Sequence, residues 1–93
     1  TRRYQKGKYV ATFYLKTEDT NIISNTITIE VLTEGGVIEK KTLSGKVSQK
    51  VSEYIPVSLR YRLDRDAFID FKISSRNMTR ISLKEINIRR ESD

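Results

Sequence analysis

The chain alternates. Residues 8–16 place Tyr9, Ala11, Phe13 and Leu15 on one parity and Val10, Thr12, Tyr14 and Lys16 on the other. A period of two in β-branched and aromatic residues predicts a strand, because successive side chains of extended backbone point to opposite faces. Residues 17–25 are polar and turn-rich and predict a loop. From 26 to 33, Ile27, Ile29 and Val31 read as inward and Thr28 and Glu30 as outward. Gly35-Gly36 then predicts a hairpin turn, since the tight turns that suit strand twist need positive φ. The return strand covers Val37 to Ser44 and ends at Gly45. Residues 46–52 read as a short edge strand or a loop.

The strongest alternation lies in 53–63. Ile55, Val57, Leu59, Tyr61 and Leu63 face one way, and Pro56, Ser58, Arg60 and Arg62 the other. Proline has no ladder donor, so Pro56 belongs on an edge or near a strand start. Asp64-Arg65-Asp66 turns the chain, residues 67–74 put Ile69, Phe71 and Ile73 inward, and Ser75-Arg76-Asn77 turns it again. In the last strand, 79–89, Ile81 and Leu83 share one parity and Ile86 and Ile88 the other. That slip at Lys84-Glu85 predicts a β-bulge that returns both pairs to one core. No segment has a helical period. The pattern predicts one all-β domain over residues 1–93, a two-sheet antiparallel β-sandwich. A start at Thr1 without Met leads us to expect a domain cut from a longer protein.

Three stretches carry a family resemblance. Gly7-Lys8-Tyr9-Val10-Ala11-Thr12-Phe13-Tyr14-Leu15-Lys16 resembles the opening strand of jelly-roll, galactose-binding-like sandwiches of the accessory carbohydrate-binding-module type. Tyr54-Ile55-Pro56-Val57-Ser58-Leu59 is similar to their middle strand, and Ile81-Ser82-Leu83-Lys84-Glu85-Ile86-Asn87-Ile88 to their closing strand. The resemblance implies a jelly-roll-like topology and a sugar ligand. It departs in two places. Lys84 stands where such modules usually carry an Asp that helps hold structural Ca²⁺, and the chain has no Trp to stack on a sugar ring.

Composition narrows the chemistry. With no Cys and no His, the 93 residues have no disulfide, thiolate nucleophile, imidazole base or Cys/His metal site. No apolar run reaches the ~20 residues of a membrane-spanning helix, and no signal peptide is seen. Asp64, Asp66 and Asp70 match no calcium-loop spacing and read as turn residues. No acid is set in an apolar pocket of the kind that makes a catalytic carboxyl. Asn77-Met78-Thr79 is a glycosylation sequon of low specificity. The net charge of +6 is uneven, with basic residues at both ends and six acids against four lysines between 17 and 58. A basic surface attracts nucleic acid, anionic lipid or acidic polysaccharide, and it also simply keeps a small domain in solution.

One outward-facing set suggests a ligand: Thr12 and Tyr14 from the first strand, Arg60 and Arg62 from the middle strand, Phe68 and Lys72 from the next. Aromatic rings stack on sugars while Arg hydrogen-bonds their hydroxyls. The plain alternative is that the rings cover their neighbours and the arginines sit in water. The sequence therefore predicts a non-catalytic accessory domain of an extracellular or cell-surface protein, without cofactor or metal, binding carbohydrate or packing against neighbouring domains. A structural or protein-interaction domain is the alternative. Nucleic-acid binding by the basic β-surface ranks third, because the middle of the chain is acidic and no RNA-binding aromatic signature is present.

Overall fold

A computed structural model describes residues 2–17, 26–44, 54–75 and 81–91. Among them run seven strands: β1 (Arg2–Tyr4), β2 (Gly7–Thr17), β3 (Thr26–Thr33), β4 (Gly36–Ser44), β5 (Ile55–Leu63), β6 (Ala67–Ser75) and β7 (Ile81–Glu91). They form two antiparallel sheets, ordered β1-β6-β3-β4 and β5-β2-β7. The protein is an all-β, two-sheet sandwich. Only β3 and β4 are consecutive strands of one sheet; every other connection crosses between sheets.

The alternation read from sequence builds the core. Phe13, Leu15, Ile27, Ile29 and Val31 are fully buried, and Tyr9, Val57, Leu59, Tyr61, Leu63 and Ile69 pack with them. Burying one such side chain contributes about 1.5–3 kcal/mol. Aromatic rings stitch the two layers: Phe71 meets Phe13 edge-on at 5.3 Å and Tyr61 at 6.3 Å, while Tyr9 stacks on its cross-strand neighbour Tyr61 at 5.5 Å within one sheet. Pro56 is the second residue of β5, an edge strand, where its missing donor does no harm.

The bulge predicted in the last strand is present. Tyr14 pairs with Glu85 and Leu15 with Leu83, so Lys84 is the extra residue. Ile81, Ile86 and Ile88 consequently all pack against the core. Leu83 differs from the expectation: it shares their face but stays 44 % exposed. A second bulge was not foreseen. Val31 pairs with Glu39 and Leu32 with Val37, which leaves Ile38 without an opposite residue. Gly36, at φ 115°, turns the hairpin that Gly35-Gly36 predicted.

Strand β1 was also unforeseen, because Arg-Arg-Tyr shows no alternation over three residues. It pairs with β6 through Arg2↔Ile69, Arg3↔Phe68 and Tyr4↔Ala67. The chain then crosses to the other sheet at a tied corner. Arg90 donates from Nη1 to Gln5 Oε1 at 3.1 Å and from Nη2 to the Lys6 carbonyl at 2.8 Å. The Lys6 backbone N–H donates to Asp66 Oδ1 at 2.8 Å. Gly7, at φ 152°, leaves the space that the Arg90 guanidinium fills: a Cβ there would lie 3.0 Å from Arg90 Nε. On the opposite side, Lys41 Nζ of β4 donates to the Ser58 carbonyl of β5 at 2.9 Å and draws the two edge strands together.

The loop expected at 17–25, the strand or loop at 46–52, the turn at 75–77 and the sequon at 77–79 fall mostly or wholly outside the described residues.

Candidate functional site

The outer face of the β5-β2-β7 sheet gathers four of the six candidate residues. Its rungs follow from the strand register. Pro56 lies across from Tyr14 and Glu85, Ser58 from Thr12 and Asn87, Arg60 from Val10 and Arg89, and Arg62 from Lys8 and Glu91. Side chains two apart on a strand share a face, so this face reads aromatic and polar at one end and cationic at the other. Thr12, Tyr14, Arg60 and Arg62 all stand on it. Phe68 and Lys72 do not: they project from β6 on the outer face of the other sheet. Parity along a strand cannot reveal which of two sheets that strand joins, so the sequence grouped residues that the fold separates.

Three shallow depressions follow one another along β2. The first, about 310 Å³, is lined by Val10, Thr12, Tyr14, Ser58, Asn87 and Arg89. The second, about 380 Å³, is lined by Lys8, Arg60, Arg62 and Glu91 and reaches over the β5 edge to Tyr61 and to Glu39 of β4. The third, about 420 Å³, lies at the corner of Lys6, Gly7, Lys8 and Arg62. They share residues or adjoin along the strand. From Tyr14 to Lys6 the track is about 27 Å long at the usual rise of an extended chain.

The chemistry of each part is readable. Thr12 Oγ1 and Ser58 Oγ are 3.0 Å apart and share a hydrogen bond, each keeping further capacity for a ligand hydroxyl. Val10 is outward by parity yet only 7 % exposed. Arg60 and Arg89 flank it directly across on both sides, and arginine stems cover apolar surface while their heads stay in water. Exposed Arg60 pairs with half-buried Glu91 at 3.6 Å, and Arg62 with Asp64 at 3.5 Å, both exposed. Among the described residues, Lys8 and Arg89 have no ion-pair partner. Beyond the Tyr14 end, Tyr54 carries Lys16 Nζ 5.0 Å and Lys84 Nζ 5.9 Å from its ring centre, which gives Lys84 a cation–π contact.

Sequence reasoning missed Lys8, Ser58, Tyr54, Asn87 and Arg89. The first three share parity with residues that were chosen. The last two become visible only when the bulge is carried through to 87 and 89. The acids of the 64–70 stretch serve the corner and the surface: Asp66 holds the Lys6 backbone N–H and lies 4.0 Å from Arg3. Among the described residues no three potential metal-ligating side chains come together.

No protein-family model matches this chain, and neither does any curated protein or solved structure compared with it. The functional reading therefore rests on the face itself.

Proposed function

We propose that the protein is a non-catalytic accessory domain that binds carbohydrate on the outer face of its β5-β2-β7 sheet. The observation that carries this reading is the first depression of the track along β2, lined by the Thr12–Ser58 rung, Asn87 and Tyr14. Hydroxyl and amide groups beside an aromatic ring suit a sugar, which offers hydroxyls on its edges and C–H groups on its faces. The resemblance of the strand motifs to jelly-roll carbohydrate-binding modules points the same way, and this reading implies an extracellular or cell-surface setting. The track is shallow and fed by strands, which suits holding a polymer more than enclosing a small molecule.

A glycan array probed with the domain at low and moderate salt tests the reading. Specific binding that Tyr14→Ala weakens, with the fold intact, supports it. A domain that captures no glycan at either salt refutes it.

A second reading attaches to the opposite sheet. Val37 and Phe68 are 49 % and 47 % exposed, and Leu32 lies directly across from Val37 on the same outer surface. Such a patch fits packing against a neighbouring domain. Hydrogen exchange compares the isolated domain with a longer chain containing it. New protection at 37–38 and 68 favours this role, and equal exchange removes it.

A further inference from the structure

The cationic end of the track deepens the carbohydrate reading, and the ligand class it implies rests on that reading. Lys8 and Arg62 are directly opposite each other on paired strands. Like charges in that position destabilise a sheet. One rung further, Arg60 and Arg89 flank Val10 from both sides. Neighbouring strands lie about 4.8 Å apart, so four cationic side chains rise from three strands within roughly 10 Å across and 7 Å along. The carboxylates near them are fewer. Glu91, the last residue of β7, lies across from Lys8 on the same rung, Asp64 follows the end of β5, and Glu39 is on β4. Over the three depressions, Lys6, Lys8, Arg60, Arg62 and Arg89 meet these three acids.

We propose that the bound polymer is an anionic polysaccharide, with carboxylate or sulfate groups seated between Lys8, Arg62 and Arg89 and neutral ring hydroxyls on the Thr12–Ser58–Asn87 rung. An anion between Lys8 and Arg62 turns their mutual repulsion into two attractions, each a charge-assisted hydrogen bond. The exposed pair Arg62–Asp64 contributes little and leaves Arg62 open to a competing anion. Spacing along the strand sets the reading frame, since the cationic contacts lie at one end of the track and the Thr12–Ser58–Asn87 rung and Tyr14, with Glu85 across from it, lie toward the other. A single-stranded nucleic acid fits the face less well. Its bases need open aromatic platforms. Tyr54 already has Lys16 and Lys84 over its ring, which leaves Tyr14 as the aromatic of the track.

The test is calorimetric titration of the domain with polygalacturonate, heparin, a neutral dextran and a single-stranded oligothymidylate, at about 0.01 M and about 0.15 M salt. The expected result is binding of at least one acidic polysaccharide in preference to dextran and the oligonucleotide, weakening with salt. The double variant Lys8→Gln/Arg62→Gln is expected to lose roughly tenfold or more in affinity with a melting temperature no lower than the parent's, since it also removes a like-charge pair. Salt-insensitive binding of dextran alone overturns the anionic assignment and leaves the carbohydrate reading standing. Preferred binding of the oligonucleotide overturns both and makes the face a nucleic-acid surface. Acidic-polysaccharide binding that Lys8→Gln/Arg62→Gln leaves unchanged overturns the site. No binding of any probe overturns both.

Discussion

Tyr9 and Tyr61 are stacked neighbours with different fates. The Tyr9 hydroxyl donates to the Gln5 carbonyl at 2.6 Å, whereas the buried Tyr61 hydroxyl has no hydrogen-bond partner among the described residues. A hydroxyl buried without a partner costs about 1–3 kcal/mol. Tyr61→Phe keeps the ring and removes that group. It should raise stability by about 1 kcal/mol, seen as a higher urea midpoint. Burial, with Tyr4 and Tyr9 nearby, pushes the Tyr61 hydroxyl well above the ordinary tyrosine range. The folded state then keeps a proton that the unfolded chain releases near pH ~10, so this residue lowers stability as pH rises above that point. Urea melts at pH ~9 and ~11 should show a smaller drop in Tyr61→Phe than in the parent chain. Phe13, fully buried and edge-on to Phe71, offers the contrasting case. Phe13→Ala should cost about 3–5 kcal/mol, whereas Tyr14→Ala, one residue on and facing outward, should leave the melting curve nearly unchanged while weakening glycan binding.

At the scale of elements, β7 depends on its extra residue. Deleting Lys84 forces a choice between Ile81 on one side of the bulge and Ile86 with Ile88 on the other, because a one-residue slip turns a strand's side chains to the opposite face. The deletion should lower the urea midpoint by several times as much as Lys84→Ala, which keeps the residue and loses only its contact with Tyr54. Gly36→Ala should also destabilise, by about 1 kcal/mol, since φ 115° suits no side chain. These elements were legible in the sequence because their signals are local: parity, a Gly-Gly pair and a parity slip. β1 was not, since three residues are too few to show a period and its partner β6 is more than sixty positions away. The bulge at Ile38 was hidden for a related reason. Val37 and Ile38 are both apolar and both exposed, so no polar residue marks the break.

At the scale of the molecule, part of the candidate site was readable and part was not. Thr12, Tyr14, Arg60 and Arg62 fall on one face because β2 and β5 pair directly, and their outward parity was plain. Phe68 and Lys72 went astray because the chain changes sheet between β5 and β6. Lys8 and Arg89 joined the site through register, a long-range property. The same arrangement leaves the two sides of the sandwich unlike. Lys41 ties β4 to β5 on one side. On the other, β7 is an eleven-residue edge with no strand beyond it among the described residues. A long, flat edge is a template for another chain. The bulge at Lys84 breaks that template: it bends the strand, interrupts its row of donors and acceptors, and sets a lysine at the break. The residue that keeps the isoleucines facing inward thus also helps keep one copy of the protein from growing onto the next.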